Sequence, residues 1–472
     1  MRQFLFTLLL ISMLGYSGDA QTNLKSKLSH LYGHLAKEQK PGLSISIIEN
    51  GKVILSEGFG MANVEHLIPF SPNTISDLGS VSKQLTAFAI IMLHDEGVIS
   101  LDEDIRTYLP DLPDLGYKVT ARHLIHHTSG IPDVYALHGL KGMRAGDHIN
   151  QQDAIIFLKR RPAVDYPPGS QYRYTNTGYM LLAEIVKEVT GSGFEEWMQQ
   201  NIFIPLNMRF TGIMDIQGEI FPNMADGYVL NPAEKYIKIY DNSTLQGGGG
   251  VYSSGNDMLR WIDNFRTRKL GNNNIWGIFL QPATLNNGEK IEYAGGINVN
   301  VYRGITRYTH NGSSAGYRTK MAYYPDYQLG FMIKSNTPQI GYDQFEEIED
   351  IILESTIGEE LLEKKEKEEK EIQKTGTISD ASTIDYDDYT GHYYSKKLDF
   401  TLEVVKSENG LVLKSFFYDF PPTTVMEPDL FKSNGTEIKF LRNKDGEIVS
   451  INISTPRASN LIFTRQLYNS TK

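Results

Sequence analysis

Gly79-Ser80-Val81-Ser82-Lys83 contains the only Ser-x-x-Lys of the chain, and its reading decides both fold and chemistry. Leu85, Phe88 and Met92, with Ile90-Ile91, recur at helical spacing until Gly97, which predicts an amphipathic helix opened by the serine. Residues three apart lie one turn above each other on one helix face. The Lys83 ammonium can therefore reach the Ser80 hydroxyl, a weak nucleophile that needs a neighbouring base or proton shuttle. Unpaired backbone N–H groups in a first helical turn, together with the helix dipole, also favour an oxyanion forming there. On its own such a pair of common residue types is weak evidence, since serine also caps helices well.

Two downstream triplets give it weight. Tyr174-Thr175-Asn176 follows Pro167-Pro168-Gly169-Ser170 and precedes the apolar run Tyr179-Met180-Leu181-Leu182. His310-Asn311-Gly312 is followed by Ser313, Gly316 and Tyr317 and then by strand-like alternation. A second Tyr-x-Asn, Tyr240-Asp241-Asn242, lacks the Pro-Gly lead-in and the apolar continuation. The succession Ser-x-x-Lys, Tyr-x-Asn, His-x-Gly resembles the serine β-lactamase and penicillin-binding-protein superfamily, on its class C β-lactamase, DD-peptidase and esterase side. The related set has Ser-x-Asn second and Lys-Thr-Gly third, so Tyr174 and His310 are departures from it. The stretches 122–130 and 202–208 are similar to that family as well, and the resemblance runs from about residue 25 to about residue 358.

The resemblance implies an acyl-transfer site with Ser80, Lys83 and Tyr174 as catalytic residues. Ser80 attacks an amide or ester carbonyl and carries the acyl group. Lys83 and Tyr174 share its proton, and the motif does not choose which is the base; either needs neighbouring charge or burial to act near neutral pH. Asn176, His310, Gly312 and Ser313 are the substrate-binding residues so implied. Asn176 offers an amide to Lys83 and to a substrate carbonyl, and the backbone N–H groups of Ser80 and Ser313 form the oxyanion hole. In relatives with Lys-x-Gly the lysine helps hold a substrate carboxylate. A histidine is mostly uncharged at neutral pH, so efficient β-lactamase activity is disfavoured, and Arg307 and Arg318 are the nearby cations that could replace the charge.

No cofactor and no metal are expected. His123, His126 and His127 have helical spacing, but no acid or cysteine completes a ligand set. Gly247-Gly248-Gly249-Gly250 lacks the Gly-Lys-Ser/Thr of a phosphate loop and reads instead as backbone approaching the substrate, before a helix capped at Ser253/Ser254 that runs to Phe265.

The 472 residues suffice for several domain-sized units, and 40% hydrophobic with 22% charged residues is an ordinary globular composition. A net charge of −11 argues against nucleic-acid partners or an anionic membrane surface. With no cysteine, disulfides and a thiol nucleophile are excluded. Met1-Arg2, the apolar run Phe4 to Leu14, and the small Gly18 and Ala20 read as a signal peptide over 1–20, too short to span a bilayer, so an exported, periplasmic or secreted protein is expected.

The expected fold is α+β. Hairpin strands Leu43–Ile48 and Val53–Gly58 flank Asn50-Gly51. A helix-rich insertion from Ser80 to about residue 208 follows, then strands near 297–302, 307–310, 317–324 and 328–335, closed by a helix over 345–355. This gives an antiparallel sheet flanked by helices, a β-lactamase/transpeptidase-like domain over 21–358 with its site at the seam. A charged linker, 359–385, leads to an all-β domain, 386–472, resembling the small lipocalin-like barrel of some family members. The expected partner is a small-molecule or peptide-like substrate, with no nucleic acid and no membrane span; the sequence names no protein partner. The alternative is a non-catalytic binding or sensing protein that keeps the pocket.

Overall fold

Asn50 and Gly51 both have positive φ, 50° and 78°, as the tight hairpin turn requires. They join β1 (Leu43–Glu49) to β2 (Lys52–Phe59), within a residue of the expected bounds. The computed structural model describes residues 22–143, 147–358, 384–408, 410–415 and 419–466. The expected signal peptide and nearly all of the expected linker lie outside these. The described residues fall into two compact units. The first joins 22–100, 182–283 and 290–358; the second joins 101–181, 284–289 and 384–466.

In the first unit β1 and β2 pair with β3 (Asn298–Tyr302), β4 (Ile305–Ser314), β5 (Tyr317–Tyr324) and β6 (Leu329–Ser335). The sheet is antiparallel, in the order β3-β4-β5-β6-β1-β2. Strand alternation divides its two faces. Leu43, Ile45 and Ile47 of β1 pack with Leu24 and Leu28 of the helix over 22–32 and with Phe345, Ile348 and Ile352 of the C-terminal helix Tyr342–Thr356. The alternate residues Ser44 and Ser46 are small, and the helix Gly255–Thr267 rests on that face. A Cβ on Gly255 would fall 2.6 Å from Ser46 Oγ. Ser254 caps this helix, its side chain accepting from Asp257 N as the sequence leads one to expect.

The second unit contains the helix Val134–Leu140, the helix Gln151–Arg160 and the Tyr174 segment. It also holds an eight-stranded antiparallel sheet: β7 (Gly391–Ser395), β8 (Phe400–Ser407), β9 (Gly410–Lys414), β10 (Thr424–Glu427), β11 (Leu430–Ser433), β12 (Thr436–Arg442), β13 (Ile448–Thr455) and β14 (Ala458–Arg465). Their order is β9-β8-β7-β14-β13-β12-β11-β10. The outer strands nearly meet, Thr423 N donating to Leu411 O at 2.8 Å and Leu411 N to Thr423 Oγ1 at 3.2 Å. The sheet is thus an almost closed barrel, filled by Tyr393, Phe431, Phe440, Ile451 and Phe463, all buried. Among the described residues no helix is long and apolar enough to cross a membrane.

One buried charge cluster ties the C-terminal helix of the first unit to its sheet. Glu349, fully buried, is 2.5 Å from Lys320 Nζ and 3.2 Å from Arg307 Nη1, and it accepts the Tyr324 hydroxyl at 2.5 Å. Removing one partner of a buried ion cluster leaves uncompensated charge. Glu349→Ala should therefore destabilise the protein by about 3–5 kcal/mol, measured as a lower midpoint in urea unfolding.

Candidate active site

Ser80 lies in a 3₁₀ turn, Gly79–Ser82, and the α-helix itself starts at Lys83 and runs to Asp95. The expected helix is therefore present, but Ser80 sits on a tighter turn just before it. Two glycines make this turn possible. Gly79 has φ +53°, and a Cβ there would lie 2.6 Å from Ser313 N; a Cβ on Gly312 would lie 2.0 Å from Leu78 O. The Ser80 turn and the end of β4 thus touch backbone to backbone beside Ser313. Asp77 accepts Gly79 N at 2.8 Å and Thr319 Oγ1 donates to Leu78 O at 2.7 Å, fixing the turn from beneath. Burial, and then the charge of neighbouring Asp241, push the Asp77 carboxyl up to about 7.

Lys83 is completely buried, and its Nζ lies 3.2 Å from Ser80 Oγ and 2.5 Å from Gly248 O. The glycine tetrad thus has a role the sequence reading missed. Its carbonyls hold the helix start, Gly248 through Lys83 and Gly247 through Thr86 Oγ1 at 2.9 Å. On the opposite side Phe88 packs against Trp261, Trp276 and Phe279 with ring centroids 5.2–5.3 Å apart, and Trp261 Nε1 donates to Gln84 Oε1 at 2.6 Å. Lys83 is held by a rigid helix from behind and by backbone carbonyl from the front.

His310 is buried on β4. Its Nε2 is 3.0 Å from the Tyr293 hydroxyl and its Nδ1 2.6 Å from Asn311 O. Burial first, then the charge of Lys83, push its imidazole down to about 3, so the ring is neutral at physiological pH. Pairing of β3 with β4 ends at the Asn298–Thr309 register, leaving 310–314 bonded through β5 on one side. Neither arginine of the sequence reading supplies a mobile cation: Arg307 is engaged with Glu349, and Arg318 Nη1 donates to the carbonyls of Tyr317 and Ala315.

In the second unit Tyr174 stacks on His127, ring centroids 4.2 Å apart. His127 has φ +57°, its Nδ1 accepts Thr175 N at 3.2 Å, and its carbonyl accepts Arg173 N at 2.9 Å. His123 closes a capping box with Thr120. Both rings are thus used in holding backbone, and His127 is a positioning residue for Tyr174. Asn176 opens the helix Asn176–Thr190 and is held by Asp133, whose Oδ2 accepts its backbone N at 2.5 Å and its Nδ2 at 2.8 Å. Asp133 is fully buried and also caps the helix Val134–Leu140. Its place before an apolar helical run was the available signal.

The family described as Beta-lactamase matches residues 29–352. A penicillin-binding protein of Bacillus subtilis (strain 168) is 28% identical over 334 residues, 66% of this chain and 72% of that protein. A D-aminopeptidase of Gluconobacter oxydans (strain 621H) is 26% identical over 296 residues, 63% of this chain and 56% of its own length, so the match spans little more than half of that relative. Among solved structures, the octameric penicillin-binding protein homologue from Pyrococcus abyssi superposes with TM-score 0.60 at 24% identity, covering 94% of this chain and 99% of that one, a likeness of fold. The chain belongs to the Beta-lactamase family and is a serine hydrolase of that β-lactamase-related group.

Proposed function

We propose that the protein is an exported hydrolase that cleaves amide or ester bonds through an acyl-enzyme at Ser80, with DD-peptidase-, D-amino-acid-peptidase- or esterase-like specificity rather than efficient β-lactamase activity. The observation that carries this is Lys83 Nζ at 3.2 Å from Ser80 Oγ, with the lysine fully buried. Burying an ammonium is costly, and setting it against a serine hydroxyl gives that weak nucleophile the neighbouring proton shuttle it needs. The relatives named D-aminopeptidase and penicillin-binding protein support peptide-like substrates, and the leader-like run Phe4 to Leu14 supports export.

In the proposed reaction Ser80 Oγ forms a bond to the substrate carbonyl carbon, and its proton passes to the Lys83–Tyr174 pair. The carbonyl oxygen becomes an oxyanion held by the N–H groups of Ser80 and Ser313. The C–N or C–O bond then breaks as the same proton reaches the leaving amine or alcohol. Water repeats the sequence on the acyl-enzyme, delivering the acid and restoring Ser80. Neutral His310 supplies no fixed charge for the carboxylate of a β-lactam, which is why penicillin turnover is expected to be poor.

Ser80→Ala should lower hydrolysis of short p-nitrophenyl esters by roughly three orders of magnitude; an unchanged rate would remove Ser80 from the mechanism. Lys83→Ala and Tyr174→Phe should each slow acylation, and the double variant should lose far less than the sum, because groups acting as one proton-transfer unit are non-additive. Stopped-flow acylation of all three variants reads this, and fully additive losses would separate the two residues.

His310 also gives a pH signature. Its folded value lies below that of the unfolded chain, so its stabilising contribution is complete above pH ~6.5 and is lost as pH falls toward ~3, by up to about 1.4 kcal/mol per unit. Urea unfolding at pH 7, 5 and 4 should show a smaller acid loss for His310→Asn than for wild type. Equal slopes would mean that His310 protonates normally in the folded protein.

A further inference from the structure

The turn between β13 and β14 of the barrel carries Arg457, and its guanidinium lies over the ring of Tyr174, 5.1 Å from the centroid. This placement is built, because the turn is clamped on both sides. The Arg457 carbonyl accepts Asp133 N at 2.9 Å, on the residue whose carboxylate holds Asn176. Two residues on, Ser459 N donates to Asp165 Oδ2 at 2.7 Å, Ser459 Oγ accepts Arg173 Nη1 at 3.0 Å, and Ser459 O accepts Arg161 Nη2 at 3.1 Å. Asp165 itself is almost wholly buried and bridges Arg161 and Arg173 at 2.6 and 2.8 Å. Charge-assisted bonds of this kind are short and directional, so the barrel turn is fixed relative to the Tyr174-Thr175-Asn176 segment.

Arg161 and Arg173 spend their charge on Asp165, whereas Arg457 does not spend its own. Among the described residues its guanidinium has no ion pair and no hydrogen bond; its one described side-chain contact is the face of Tyr174. A guanidinium lying over an aromatic face keeps its N–H donors at its edge, where they fit both oxygens of a carboxylate. Its charge is also felt at Tyr172, where burial raises the phenol and Arg457 opposes the rise. The third motif, where relatives with Lys-x-Gly carry a fixed cation, here holds a neutral histidine.

We propose that Arg457 is a substrate-binding residue supplied by the C-terminal barrel, and that it takes the carboxylate of an acyl-amino acid or short peptide bearing a free C-terminus. The proposal rests on the reading of Tyr174 and Asn176 as part of the active site, and it narrows the proposed substrates to those that carry a free carboxylate. It also gives the barrel a role in specificity.

The test reads binding rather than turnover, in the full-length Ser80→Ala protein, so that it is independent of catalysis. Calorimetry compares N-acetyl-D-alanyl-D-alanine with its C-terminal carboxamide, which differ only in the charged group. With Arg457 present the acid should bind about tenfold or more tighter than the amide, the scale of a charge-assisted bond. Arg457→Gln should bring that ratio to about one, and Arg457→Lys should leave an intermediate ratio because the charge survives. No preference for the acid, including no measurable binding of either ligand, overturns the assignment. So does a ratio unchanged in Arg457→Gln, or a lysine variant that loses as much as the glutamine one. Ester hydrolysis insensitive to Ser80→Ala would instead defeat the catalytic reading, so the two failures are distinguishable.

Discussion

A lysine removed from water must find its hydrogen bonds in protein, and much of the first unit is arranged around that need at Lys83. Its ammonium takes Gly248 O and Ser80 Oγ as acceptors. The Gly248 carbonyl reaches it from the glycine tetrad, whose turn needs Gly250, at φ +81° and with a Cβ there falling 2.8 Å from Leu245 O. Gly79 and Gly312 perform the same service on the other flank, letting the serine turn rest on the end of β4. Left unpaired, a buried ammonium costs several kcal/mol, so these backbone approaches are conditions of the Ser80–Lys83 geometry.

The same condition sets the charge of the histidine in the third motif. A second cation beside Lys83, equally withdrawn from water, would add like-charge repulsion to desolvation. Burial and Lys83 together keep His310 neutral, and it then serves as a hydrogen-bond partner of Tyr293 and of its own strand. Asp77, close beneath the turn, is pushed toward its neutral form by burial and Asp241. Around Ser80, then, environment rather than residue type sets which groups carry charge.

Features that depend on local chemistry were legible in the sequence. The Asn50-Gly51 hairpin, the Ser254-capped helix, the strands 317–324 and 329–335 and the closing helix were each readable from turn residues and periodicity, with bounds shifted by a few residues. Family triplets located Ser80, Lys83, Tyr174 and His310. What escaped depends on tertiary contact. Gly248 matters through a carbonyl, which every residue has. Asp133 and His127 act on Asn176 and Tyr174 from 43 and 47–48 positions away in the chain. The short strands Thr211–Ile213 and Val251–Ser253 are too brief to show alternation, and Ser80 was read into an α-helix because a 3₁₀ turn has no distinct signature. The last barrel turn, Pro456-Arg457, has no Asn-Gly or Asp-Gly pair like those that marked the other hairpins, and its proline was not read as one.

That last omission shows why the all-β region looked dispensable for chemistry. Reading for nucleophiles finds none there, and alternation finds only a filled barrel. It meets the helical segment at one hairpin tip, where backbone atoms of Arg457 and Ser459 meet Asp133 and Asp165, and again where Arg160 pairs with Asp399 at 3.1 Å. Asp133 faces both ways: its backbone N–H binds the barrel turn, and its carboxylate binds Asn176. A change in the seating of the hairpin would therefore be felt at Asn176 through a single residue and at Tyr174 through the stacked guanidinium. The physical consequence is that the geometry of the tyrosine triplet is held in part by a barrel turn remote in sequence from every motif that defines the family.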